Sequence, residues 1–293
     1  MTQLAPTVGT EERSTRPRNR ALRRLRRRPL ALFGAFVIVF FVVVAVFAPL
    51  IAPFDPAATD FLAVRQAPSA EYPLGTDDVG RDVLSRVIYG ARASLMAGVI
   101  SVVIAMILGV PLGLISGFYG GFVDEIIMRF TDALLSFPFL ILAVALAAAL
   151  GPSLQNAMIA IGIASAPTFI RLTRGQVLAV KSEEYVQAAR ALGTGDARIL
   201  VRHILPNSFA PILIQATLTV AQAIIAESSL SFLGLGVQPP TPSWGGMLNT
   251  AKGFMAQAPW MAIWPGLSIF VTVLAFNLFG DGLRDALEPR EDT

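Results

Sequence analysis

One histidine, His203, two lysines, Lys181 and Lys252, and no cysteine are all that this chain of 293 residues offers to several kinds of chemistry. A lone histidine cannot build a multi-histidine zinc site, and without cysteine there is no thiolate metal site, iron–sulfur cluster or disulfide. Neither lysine follows a glycine, so the phosphate-cradling pattern GxxxxGK with Ser or Thr is absent. There is no HExxH and no Ser/His pair in an apolar run, so an intramembrane hydrolase lacks its catalytic set. No catalytic residue and no metal ligand is assigned, and the chain itself is expected to bind no cofactor. Glu227 is a separate matter. It sits between Ile225 and Leu230 in an apolar stretch, and an ionisable residue there is a functional candidate by default. It falls about 20 residues, or ~30 Å, past the start of its helical run, which places it near the outer membrane boundary, where a carboxylate costs little.

The segment Ser182–Asn207 reads SEEYVQAARALGTGDARILVRHILPN. Tyr185, Ala188, Ala189 and Leu192 recur at helical spacing, and Gly193, Thr194 and Gly195 follow. A second helical pattern then sets Ile199, Leu200 and Ile204 against Arg198 and Arg202. Asp196 suits the N-terminal end of that second helix, and Pro206 suits the first turn of the run that follows. The reading is helix, glycine turn, helix. Such an amphipathic pair must lay its apolar side on the protein's own helices, on lipid headgroups or in a groove of a partner. His203 reads as a structural or interface residue.

Around this segment the chain is built for a membrane. It is 54% hydrophobic and 15% charged, against about 25% charged in an ordinary soluble domain. The fold class expected is all-α and polytopic, with six transmembrane helices: 30–52, 93–118, 124–150, 154–179, 207–235 and 259–283. An arginine-rich tail, residues 1–29, precedes the first span. Arg13, Arg16, Arg18, Arg20, Arg23, Arg24, Arg26, Arg27 and Arg28 can bind nucleic acid or flank a membrane helix on the cytoplasmic side. The charge-free run from Leu30 to Ala52 favours the flank, with no nucleic-acid partner. That run is longer than a secretory h-region, so it is expected to stay as an anchor. Residues 53–92 form an external loop, residues 93–283 a five-helix core containing the loop 181–206, and residues 284–293 a second tail. Arg171, Arg174, Lys181, Arg190, Arg198 and Arg202 cluster at the 181–206 loop, whereas the arginines of 53–92 are diluted by Asp55, Asp60, Glu71, Asp77, Asp78 and Asp82. That bias puts both termini in the cytoplasm. Gly109, Pro111, Gly113 and Pro138 lie within spans, where small residues allow close helix approach.

The loop resembles the EAA loop of bacterial ABC importer permeases, whose pattern is Glu-Ala-Ala, three residues, Gly, nine residues, Ile, one residue, Leu-Pro. Gln187, Ala188, Ala189, Gly193, His203, Leu205 and Pro206 occupy those positions, with Gln187 in place of Glu and His203 in place of Ile. Glu183 or Glu184, about one turn earlier, can supply the missing charge. The string from Pro73 to Arg86 that includes Asp77, Arg81 and Asp82, then Tyr89–Arg92, is similar to the external segment of the "C"-type subunit of the oligopeptide/dipeptide/nickel branch. So is Ser229–Gly245, which holds Trp244. The resemblance implies a type I ABC importer permease fold and a permease subunit in the bacterial inner membrane. It implies alternating access powered by two separate ATPase subunits, which carry ATP and Mg. It further implies a second, non-identical permease subunit and an external substrate-binding protein. The loop would then be a coupling helix that docks on the ATPase. Asp77, Arg81, Asp82, Glu227 and Trp244 would shape an external gate or meet the binding protein, and Trp244 is expected to anchor at the membrane interface. An ion-coupled secondary transporter is the alternative, but it calls for ionisable residues deep in several spans.

Overall fold

The computed structural model describes residues 28–287, and the arginine-rich tail up to Arg27 and the last six residues lie outside them. Every extended element among the described residues is helical. Helix α1 (Pro29–Val46) opens with Pro29 in its first turn, where a missing N–H costs nothing, and a short α2 (Ala48–Ile51) ends it. Helix α3 (Val83–Tyr119) begins well before the expected Ala93, because Asp82 caps it by accepting from Ser85 N at 2.7 Å.

The third expected span is not one helix. It divides into α4 (Gly121–Leu135) and α5 (Phe139–Leu150), bent by 92°. Pro138 has no N–H to continue the ladder, and Phe137 before it is steered out of the helical region. Ser136 Oγ satisfies the freed Ala133 carbonyl at 2.7 Å. Next come α6 (Leu154–Lys181), α7 (Glu184–Ala191), α8 (Asp196–Ile199), a π-helical turn (Leu200–Ile204) and α9 (Leu205–Phe232). The π turn directly precedes Pro206, whose ring would crowd the carbonyl four residues back in a tighter α turn. Helices α10 (Trp244–Ala251) and α11 (Trp260–Leu287) complete the fold.

The six expected spans thus correspond to α1, α3, α4 with α5, α6, α8 through α9, and α11. Four are long and apolar enough to cross a membrane as continuous helices, and the bent pair passes as a fifth. Helix α6 does not pass, although it is a continuous helix of 28 residues. It is an inner helix, with Ala157, Ile161, Phe169, Ile170 and Val177 among its buried residues, so it need not be as apolar as a helix facing lipid.

Helices α3 and α6 form the most extensive pair. Gly109, Gly113 and Gly117 recur every four residues along α3, and a Cβ on them would lie 2.7, 2.6 and 2.9 Å from the carbonyl oxygens of Ala166, Ile170 and Arg174. The two backbones touch, as small residues at this spacing allow. Helix α1 runs antiparallel to α11, with Gly34 against Ala275, and Arg28 pairs with Asp285 at 3.2 Å. The two ends of the described chain therefore lie on one side of the bundle.

Candidate functional site

The loop 181–206 is held to the bundle by three side chains. Val186 of α7, Ile199 of α8 and Ile204 of the π turn are fully buried against Phe118 at the end of α3 and Val177 of α6. Each such burial stabilises by about 1.5–3 kcal/mol, enough to fix the loop as a rigid surface.

The turn between α7 and α8 is a Schellman motif. Gly193 has φ +77°, its N–H donates to Arg190 O at 3.0 Å, and Thr194 N donates to Ala189 O at 3.1 Å. A left-handed residue is needed there, and glycine supplies it without strain. Glu184 and Asp196 stand in the first turns of α7 and α8, where a carboxylate complements the helix dipole. Pro206 stands in the first turn of α9, next to Leu205. The two departures from the EAA pattern each have a local use. The Gln187 amide donates to Ser182 O at 3.0 Å, a bond a carboxylate cannot make. The His203 ring lies 6.4 Å from the Tyr185 ring and joins the π turn to α7.

With Val186 turned inward, Tyr185, Ala188 and Leu192 form an exposed stripe along α7, and Val201 is exposed beside it. Leu192 is 86% exposed. Of the three places open to the loop's apolar side, its own helices take Val186, Ile199 and Ile204, and the stripe is left for something else.

The other site residues lie in a separate cluster around residues 54–86 and 227–260. Asp77 accepts from Arg81 Nε at 2.6 Å and from Arg81 N at 2.9 Å, and Arg86 Nε lies 3.5 Å from it. Arg86 also donates to Pro56 O at 2.8 Å, and Asp82 accepts from Ser85 Oγ at 2.6 Å. Trp260 Nε1 donates to Thr76 O at 3.1 Å. Asp77, Asp82 and Arg86 are buried, so this network orders the loop and does not face solvent.

Trp244 is not an interfacial anchor. It is fully buried, donates from Nε1 to Val87 O at 3.0 Å, stacks edge-on to Phe41 and fills the space left by Gly90. Glu227 is not at an outer surface either. It is fully buried and accepts from Ser94 Oγ at 3.1 Å and Ser231 Oγ at 2.7 Å, which ties α9 to α3.

Sequence reasoning missed one hub. Arg174 of α6 makes a bidentate pair with Asp124 of α4, at 2.6 and 2.7 Å, and Ser116 of α3 donates to the same carboxylate. Arg171 pairs with Asp132 at 2.8 Å one step along. The arginines were visible as a charge bias, but their partners are on a different span. Among the described residues no three His, Cys, Asp or Glu side chains gather as a metal site.

The family described as "binding-protein-dependent transport system inner membrane component" matches residues 109–293, and "N-terminal TM domain of oligopeptide transport permease C" matches residues 17–68. The dipeptide transport system permease protein of Alkalihalophilus pseudofirmus is 46% identical over 274 residues, which is 94% of this chain and 90% of that one. The glutathione transport system permease protein of Shigella flexneri is 49% identical over 269 residues, 92% of this chain and 89% of that one. The inward-facing MetNI methionine ABC transporter shares the fold, with a TM-score of 0.56 at 19% identity over 69% of this chain and 96% of that one. The helix–turn–helix loop thus sits on a type I ABC importer permease fold, and the chain belongs to the binding-protein-dependent inner-membrane permeases, in their oligopeptide/dipeptide branch.

Proposed function

We infer that this subunit moves short peptides across the inner membrane by alternating access. The observation that carries the reading is the loop 181–206, a rigid helix–turn–helix with an exposed apolar stripe and no nucleotide site of its own. In this reading Tyr185, Ala188 and Leu192 seat in a cleft on an ATPase subunit, with Glu184, Ala189, Gly193, Asp196, His203, Leu205 and Pro206 shaping the contact and Gln187 bracing α7 from its other face through the bond to Ser182 O. Two such ATPases hold ATP and Mg. A second, non-identical permease completes the pathway, and an external binding protein delivers the cargo. Both termini are cytoplasmic. That agrees with the arginine bias around the loop and with the Arg28–Asp285 pair, which joins the two ends on one side. The ordered network of Asp77, Arg81 and Asp82, with Trp244 and Glu227 packed beneath it, then lies at the external end and shapes the outer gate. Peptide cargo is supported by relatives named for a dipeptide and for glutathione, which is itself a short peptide.

The test is reconstitution into vesicles with a second permease, the ATPases and a binding protein, followed by uptake of labelled di- and tripeptides. ATP-dependent accumulation that requires all four components is expected. Uptake driven by an ion gradient without ATP would instead establish the secondary-transporter reading.

A further inference from the structure

The loop carries a second feature, on the face of α7 opposite the exposed stripe. An open cleft of about 620 Å³ lies there, lined by Leu178, Lys181, Ser182, Val186, Gln187, Arg190 and Ala191. At about 100° per residue, Val186, Gln187, Arg190 and Ala191 fall on one side of α7, while Tyr185, Ala188 and Leu192 fall on the other. A partner seated on the stripe therefore leaves the cleft open.

The cleft holds two cations and no carboxylate. Lys181 Nζ donates to Phe118 O and lies 5.7 Å from the centre of the Phe118 ring. The Arg190 guanidinium lies 5.2 Å from the centre of the same ring. Neither makes an ion pair among the described residues. One aromatic ring thus holds two uncompensated positive charges close together, and aromatic faces attract such cations. Ser182 and Gln187 line the same cleft and are joined by the bond from the Gln187 amide to Ser182 O. On one side the wall is apolar, formed by Leu178, which is 44% exposed on the last turns of α6.

We propose that this cleft is a binding site for an anionic phospholipid headgroup. The phosphate sits between Lys181 and Arg190, and the glycerol and acyl carbons lie along Leu178. A free phosphate satisfies the cations but leaves the apolar wall in water. A membrane phospholipid satisfies both, and basic pockets between spans at the cytoplasmic side suit anionic headgroups. The placement rests on the cytoplasmic orientation proposed above. The bound lipid would brace the loop where α6 turns into α7, beside the stripe and not on it.

The experiment needs neither ATPase nor transport, so its failure is distinct from failure of the importer reading. The full-length chain in mild detergent is titrated with phosphatidylglycerol, with phosphatidylcholine and with inorganic phosphate, and bound lipid is counted by native mass spectrometry. Phosphatidylglycerol is expected to bind about 25-fold more tightly than phosphatidylcholine, from roughly five-fold for each cation near a membrane surface. Lys181→Gln with Arg190→Gln should abolish the preference, while Arg198→Gln should keep it. Arg190→Lys should retain most of it and guards against a double variant that fails to fold. Equal binding of the two lipids by the unaltered chain overturns the proposal. So does a preference that survives the double variant, or displacement of the lipid by inorganic phosphate at millimolar concentration.

Discussion

Gly193→Val isolates the backbone of the turn between α7 and α8 from everything around it. Gly193 is in the left-handed region at φ +77°, and a Cβ there would meet nothing within 4 Å. The variant therefore has no steric penalty, only the strain of a β-branched residue at positive φ, about 1–3 kcal/mol. The turn is exposed, and the buried anchors Val186, Ile199 and Ile204 are untouched, so insertion and accumulation should be normal. The strain is relieved only by opening the Schellman bonds from Gly193 N and Thr194 N, which changes the angle between α7 and α8. If the ATPase requires the native angle, its binding weakens by up to the strain, about 5- to 150-fold. Gly193→Asn, which tolerates the left-handed region, should lose little. Gly175→Val is the control, because Gly175 also faces open space but lies inside α6 without positive φ. The assay is ATPase co-purification together with peptide uptake in the same vesicles. Normal retention and normal uptake by Gly193→Val would show that the turn geometry is incidental and that docking lies elsewhere. Failure of Gly193→Asn equal to that of Val would show that something other than φ is at work.

Arg174→Gln strands the half-buried Asp124 and should lower stability by about 1–3 kcal/mol, read as a fall in the thermal unfolding midpoint in detergent. The exchange of Asp124→Arg with Arg174→Asp should recover part of that loss, and no recovery would mean that the pair is not what Arg174 contributes. Glu227→Leu leaves the buried hydroxyls of Ser94 and Ser231 without their acceptor, at about 1–3 kcal/mol each, whereas Glu227→Gln keeps an acceptor and should be milder. Equal midpoints for the two variants would show that the hydroxyls find other partners. The chain lacks cysteine, so single cysteines report topology cleanly. Ala70→Cys should react only from outside and Thr194→Cys only from inside, and the reverse at either position would invert the orientation.

Local spacing made the loop legible. Its helices, the glycine between them, Asp196 at the second helix and Pro206 at the next all depend on neighbours within a few residues. Which side of α7 is buried was not legible. Tyr185, Ala188 and Leu192 make a longer apolar stripe than Val186 does, and the choice is made by Phe118 and Val177, distant in sequence. The break at Pro138 was hidden for a similar reason. Pro111, Pro167, Pro211 and Pro265 lie inside unbroken helices, so proline alone does not predict a bend. At Pro138 Ser136 takes up the carbonyl that the break releases, yet Ser165 stands at the same distance before Pro167 inside unbroken α6, so the serine does not announce the bend either. Trp244 was misplaced because its partner Val87 is 157 residues away, and an indole beside a proline-rich turn looks the same in sequence whether it meets lipid or core.

The modest hydropathy of α6 follows from where it lies. A helix facing lipid is apolar all round, whereas α6, packed against α3, α4 and α9, carries a partly buried Arg174 beside Asp124 of α4 and an exposed Arg171 beside Asp132. Its backbone contacts α3 along Gly109, Gly113 and Gly117, and both helices end at the loop, where Phe118 and Val177 receive its three buried anchors. The loop is thereby tied to α3 and α6 together. Helix α4 is joined to α3 through Gly120 and Gly121, both at positive φ, and to α5 through the 92° bend. Its carboxylates Asp124 and Asp132 pair with Arg174 and Arg171 of α6, and Ser116 of α3 donates to Asp124, so the start of α4 is held against both helices.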